Sequence, residues 1–151
     1  MRVRRLDEDD LSLLGRIDRS EHVEVQLAVR HGRLVERPVV VADIPPWSPD
    51  GGEHSVAGLA VVHPTFEPPL AWLALLHVSR PHRGTGAGTA LWAEAARLAG
   101  EAGATSLYVS ATSTGSAVGF YLAQGCRLAD PVHPELFALE PVDVHLVRRL
   151  R

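Results

Sequence analysis

The stretch Arg83-Gly84-Thr85-Gly86-Ala87-Gly88 has the composition and spacing of an anion-binding turn. It follows a nearly all-apolar run from Leu70 to Val78 and opens into a helical pattern over residues 86–99. A glycine-rich turn at a helix N-terminus presents unpaired N–H groups and the positive end of the helix dipole. Absent β-carbons let an anion approach the backbone closely. The ligand that suits such a turn is a phosphate or pyrophosphate. Further along the chain a second helical pattern carries Phe120 and Tyr121.

Three nucleotide-binding motifs compete for the loop. A Walker loop needs a Gly-Lys-Ser/Thr ending, and this chain has no lysine: all fifteen of its basic residues are arginine. The same composition excludes a Schiff-base lysine. A dinucleotide fingerprint needs glycine three residues after Gly86, where Thr89 stands, and an early βαβ unit, whereas this loop lies past mid-chain. The third motif fits. The loop resembles the cofactor loop of the GCN5-related N-acetyltransferases (GNAT superfamily), which has Arg or Gln, two residues, Gly, one residue, then Gly or Ala. Arg83, Gly86 and Gly88 match it, with Gly84 as the common extra glycine, and Leu76 and Val78 fall at the usual strand-to-loop spacing. Ala117, Phe120, Tyr121 and Gly125 reproduce the family's Ala-x-x-Phe-Tyr-x-x-x-Gly stretch. The resemblance covers about residues 70–128. Arg80 stands where Pro is frequent, and Thr114 where an Asn often begins the Tyr-bearing helix, although Thr also caps helices and offers a hydroxyl.

The resemblance implies an enzyme that transfers an acetyl group from acetyl-CoA to a primary amine by direct attack, with no metal. It implies that Leu76, His77, Val78, Arg83, Gly84, Thr85, Gly86, Ala87, Gly88, Thr89 and Thr114 meet the cofactor. Backbone groups of residues 76–78 would pair with the pantetheine and polarise the thioester carbonyl. Tyr121 becomes the general acid for the leaving sulfur. No carboxylate occupies residues 71–76 or position 109, where family members often place a base, so the options are Glu21, Glu24 and His77, Glu21 foremost, or delivery of the proton through a bound water. The missing base also motivates an alternative, a non-catalytic acyl-CoA-binding module of the same fold. Glu24, Trp47 and Phe137 are candidates for lining the acceptor pocket, with Leu139 beside Phe137. The acceptor class stays open: a small amine, an amino acid, an antibiotic, or a peptide or protein N-terminus.

Bulk properties fit a small globular protein. The chain of 151 residues suits one domain over 1–151, with 46% hydrophobic and 22% charged residues. A net charge of -3 argues against nucleic-acid binding, and the Arg148-Arg149-Arg151 cluster reads as a solvated end. The single Cys126 forms no internal disulfide and reads as a buried inert thiol. The eight histidines show no ligand spacing, so no metal is expected. No apolar run approaches the ~20 residues of a membrane span. These features point to a cytoplasmic protein without a membrane or nucleic-acid partner, and to a possible homodimer through an edge strand.

The elements that must position these residues follow from periodicity. Strands are expected over 3–6, 39–44, 56–63, 70–78, 105–110, 126–129 and 142–150, and helices over 8–19, 86–99 and 116–124. The stretch Val23 to Arg30 alternates and His31-Gly32 suits a tight turn, predicting a hairpin near residues 22–37. Breaker-rich loops are read over 45–52 and 64–69, and a Pro-punctuated loop before the last strand. The fold class is mixed α/β: a central mixed sheet of six to seven strands flanked by helices, in GNAT order.

Overall fold

The computed structural model describes residues 2–47 and 56–151. Most of the loop read over residues 45–52 therefore lies outside the described residues. The chain begins as irregular backbone, then forms a 3₁₀ helix over Glu8–Arg16. Strands β1 (Glu21–His22), β2 (Gln26–Arg30), β3 (Arg33–Arg37) and β4 (Asp43–Ile44) follow. The central elements are β5 (Gly58–Glu67), β6 (Leu70–Val78), α1 (Ala87–Glu101), β7 (Ser106–Ala111) and α2 (Gly115–Ala123). The chain closes with β8 (Arg127–Leu128), α3 (Pro134–Leu139) and β9 (Val144–Arg149).

The central sheet runs β5-β6-β7-β9-β8, with β6 and β7 parallel and the other pairs antiparallel. The expected mixed sheet is present, but it has five strands rather than six or seven. Strands β1–β4 form two separate antiparallel pairs, β1 with β4 and β2 with β3. Residues 3–6 make no strand. Arg4 there turns its guanidinium onto Asp10, at 2.7 and 2.8 Å, in the first turns of the 3₁₀ helix. That helix ends three residues before the expected Arg19, and Ile17 beyond it is fully buried. The expected 39–44 strand shrinks to two residues because Pro38 lacks a donor and Val40 and Val41 are exposed.

The hairpin forms as its sequence dictates. His31 (φ 51°) and Gly32 (φ 72°) both take positive φ, the two-residue geometry that matches strand twist, and Arg30 faces Arg33 across it. It docks on the start of α2, where Leu27 N donates to Ser113 O (2.8 Å) and Gly115 N to Val25 O (2.9 Å). Strand β5 runs to Glu67, four residues beyond the expected end. It tolerates Pro64 because it is an edge strand with one side free of a ladder.

Helix α1 is the crossover between β6 and β7 and packs mainly on β5 and β6. Its buried face is Ala87, Trp92, Ala95 and Ala99, one position away from the Leu91, Ala95, Leu98 face that the pattern suggests. Trp92 takes the centre, and the small Ala95 and Ala99 let the helix approach Ala71, Leu73, Leu107 and Val109. Truncating a side chain buried like Trp92, at 1% exposure, costs about 3–5 kcal/mol. This packing fixes where the N-terminus of α1, and so the glycine loop, sits against the sheet. No helix among the described residues is long and apolar enough to cross a membrane.

Candidate active site

The site begins where two strands part. β6 and β7 pair only from Leu70–Leu73 to Ser106–Val109, yet β6 continues to Val78. An extra residue, Ala74, enters β6 at this point, since Val61 faces Leu75 while the adjacent Val62 faces Leu73. Such a bulge bends a strand and increases its twist. Beyond it, β6 keeps its pairing with β5 up to Val78, and its other edge faces an open wedge. A cavity of about 690 Å³ fills the wedge, with Leu76, His77 and Val78 on its wall.

The glycine loop forms the mouth of the same cavity. Gly84 (φ 74°) and Gly86 (φ 90°) adopt conformations that a β-carbon resists, and both line the cavity with Arg83, Gly88 and Thr89. The first helical bond runs from Ala90 N to Gly86 O (3.0 Å), and no side chain caps the helix. The amides of Ala87, Gly88 and Thr89 therefore precede the ladder at the positive end of a fifteen-residue helix. The loop is stapled from behind. Ser79, 1% exposed, donates to Val56 O (2.8 Å) and accepts from Asp18 N (3.3 Å). Arg83 donates to Val78 O (3.2 Å) and Ser20 O (3.1 Å), and Thr85 Oγ1 to His82 O (2.6 Å). Thr85 and Ala87 belong to this frame without lining the cavity.

Helix α2 brings the phenol. Thr114 caps it, its Oγ1 accepting from Ala117 N at 3.3 Å, and its side chain lines the cavity. Tyr121 is 6% exposed, its ring 5.7 Å from Trp92 and 5.1 Å from Phe120. Its hydroxyl makes no hydrogen bond to any described residue, and the side chain borders the cavity. Burial raises its pKa well above the ordinary phenol value, with Cys126 and Asp143 adding to the rise, so it stays protonated at neutral pH. Gly88 packs closely on this helix, since a β-carbon on it would lie 3.1 Å from Phe120 Cε2 and the ring would have to give way by a few tenths of an ångström.

The remaining expected residues divide. Glu21 lines the cavity and accepts a hydrogen bond from Ser116 Oγ. His77 lines it too, edge-on to Trp47 with ring centroids 4.8 Å apart. Burial, then the charges of Arg19 and Arg83, push its pKa down to about 4, so its ring is neutral and weakly basic. Among the described residues, Trp47 meets the site through His77 and through Arg19, whose guanidinium lies 5.5 Å from the indole. Glu24 is exposed and does not line the cavity. Phe137, 43% exposed, packs on His145 and does not line it either.

Two acidic residues that sequence reasoning passed over do line it, Glu140 and Asp143. They are placed by α3, which stands where a loop was expected. Its start carries readable signals: His133 as N-cap, Pro134 in the first turn and acidic Glu135 beside it. Among the described residues no cluster of three His, Cys, Asp or Glu could hold a metal.

The model of the acetyltransferase (GNAT) family matches residues 21–126, more than two thirds of the chain. The chain belongs to the GNAT acetyltransferase family. The crystal structure of nourseothricin acetyltransferase shares its fold, with a TM-score of 0.74, 20% identity, and coverage of 98% of this chain and 97% of that one. A putative streptothricin acetyltransferase from Bacillus anthracis, solved with acetyl coenzyme A, superposes with a TM-score of 0.64 at 17% identity, covering 98% and 96%. The N-acetylglutamate synthase of Neisseria gonorrhoeae, complexed with coenzyme A and N-acetyl-glutamate, gives 0.55 at 22% identity over 68% of this chain and 24% of its own. A comparison with curated protein sequences gives no match. The family match ends at Cys126, before α3 and β9, so Glu140 and Asp143 fall outside it.

Proposed function

We propose that this GNAT protein transfers the acetyl group of acetyl-CoA to a primary amine by direct attack. One observation carries the reading: the open edge of β6, the uncapped Gly88 and Thr89 at the start of α1 and Tyr121, whose hydroxyl has no partner among the described residues, all border one cavity. A pyrophosphate on the loop sits where backbone amides and the helix dipole favour it. Gly84, Gly86, Gly88 and Thr89 form the cradle, Arg83 and Thr85 brace it, and Thr114 stands across the cavity. Pantetheine runs along the wedge, its amides pairing with the unmatched edge at residues 76–78. A backbone N–H there polarises the thioester carbonyl and receives the developing oxyanion, a role that gains strength in a water-poor cleft. Tyr121 donates its proton to the departing sulfur. Its raised pKa suits an acid that must keep its proton until the thiolate forms. Glu21 and Trp47 contribute to the acceptor side.

The test has a binding arm and a turnover arm. Acetyl-CoA at 100-fold above its dissociation constant should stabilise the protein by about 2.7 kcal/mol. CoA release should then follow addition of amines. An absent thermal shift refutes the cofactor site. A shift without transfer to any primary amine refutes the enzyme and leaves an acyl-CoA-binding module.

A further inference from the structure

Carboxylates taken out of water normally find a cation or a set of donors, because an unpaired buried charge is costly. Asp143 is half-buried, yet its side chain makes no hydrogen bond or ion pair with any described residue. It borders the cavity that holds Tyr121, near enough that its charge raises the Tyr121 pKa. Burial, then the neighbouring Glu140, push its own pKa up to about 6. A value this near neutrality suits a group that must both accept and release a proton.

The fold holds this residue firmly. Asp143 N donates to Glu140 O (3.2 Å), and the same carbonyl accepts from His145 Nε2 (3.0 Å). His145, 4% exposed, accepts the Tyr108 hydroxyl at Nδ1 (2.9 Å). The next residue, Val144, pairs with Ala111 in the central sheet. The turn is tied to the sheet through His145 and through Val144, which anchors the backbone that carries the carboxylate. The competing bases are less suited. His77 is only weakly basic and stands near two guanidiniums. Glu21 already accepts from Ser116, and Glu24 lies outside the cavity.

We propose that Asp143 receives the acceptor's ammonium group and takes its proton before attack, so that the acceptor class is a cationic aliphatic amine. The proposal rests on the acetyltransferase reading and supplies its missing base. An N–H bond of the ammonium breaks, the electron pair stays on nitrogen, and the proton moves to an Asp143 oxygen. The freed pair forms the C–N bond, the C–S bond breaks, and sulfur takes the Tyr121 proton. The nitrogen gives its surplus proton back to the Tyr121 phenolate, and Asp143 releases its own to solvent. Glu140, beside Asp143, adds negative charge that favours a cation.

The experiment compares wild type with Asp143→Asn on two kinds of acceptor. Spermidine and butylamine are protonated at neutral pH, whereas O-methylhydroxylamine is not and needs no base. In the variant, kcat/KM for the protonated amines should fall roughly 10²–10⁴-fold, the range for a lost general base. The fall for O-methylhydroxylamine should be within a few-fold, with acetyl-CoA affinity unchanged by calorimetry and a melting temperature no lower than wild type. An equal loss on both kinds of amine, no loss on the protonated ones, or a clear drop in melting temperature overturns the proposal. A wild type that binds acetyl-CoA but acetylates neither protonated amine overturns the cationic class and leaves the family reaction standing. A wild type that fails to bind acetyl-CoA overturns the acetyltransferase reading itself.

Discussion

Replacing Tyr121 by Phe separates chemistry from packing. The ring contacts with Trp92 and Phe120 survive the change, and the deleted hydroxyl holds no partner among the described residues. Folding stability should therefore change little, since no hydrogen bond to a described residue is lost and the ring still fills its place. The general acid is lost outright. Removal of such a group costs roughly 10²–10⁴-fold in rate, equivalent to about 2.7–5.4 kcal/mol of barrier. The assay is CoA release under saturating acetyl-CoA and acceptor, with affinity by calorimetry and melting by fluorescence. The expected result is a kcat loss of that size with a dissociation constant for acetyl-CoA within a few-fold of wild type. Tyr121→Ala provides the contrast, because losing the ring as well should destabilise by about 3–5 kcal/mol. Unchanged turnover in the Phe variant would refute the acid role. A turnover loss matched by an equal loss of affinity or stability would refute it too.

Other expectations follow from the same geometry. Gly86→Ala, at φ 90°, should cost about 1–2 kcal/mol of stability through backbone strain and weaken acetyl-CoA binding, both read by thermal shift with and without ligand. Gly58→Ala should destabilise by about 1–3 kcal/mol, because its β-carbon would fall 2.6 Å from His77 O and push β5 from the cavity wall; urea unfolding measures this. Asp143 shifts from 3.8 in the unfolded chain to about 6. The native state keeps a proton there that the unfolded chain has released, so this group makes stability fall as pH rises through that window. Asp143→Asn should remove that slope, so the variant's stability relative to wild type should rise from about pH 4 to pH 6 in denaturant titrations.

What the sequence made legible was local. The glycine loop, the capped α2, the hairpin turn at His31-Gly32 and the unbroken apolar run of β6 each follow from neighbouring residues, and each is in place. The five-stranded sheet was not legible. Whether residues 3–6 pair depends on what lies beside them, and Arg4 finds Asp10 instead of a strand partner. The parting of β6 and β7 has no sequence signal of its own, since β6 reads as one apolar run straight through the divergence. Asp143 was hidden for a different reason. Its place in the cavity depends on α3 folding back and on the link from Tyr108 through His145 to Glu140, whose first bond spans 37 positions. His133-Pro134-Glu135 would have revealed the helix, but not where the turn after it points.

The unfinished ladder on β6 has one more consequence. Amide and carbonyl groups between Ala74 and Val78 face the wedge without a neighbouring strand, so the sheet is complete on one side of β6 and interrupted on the other. A ligand threaded there acts as a missing strand, and docking finishes the architecture as well as filling a hole. Slowed hydrogen exchange on β6 upon saturation, stronger than on the already paired β9, would be the mark of a sheet whose last segment arrives with the substrate.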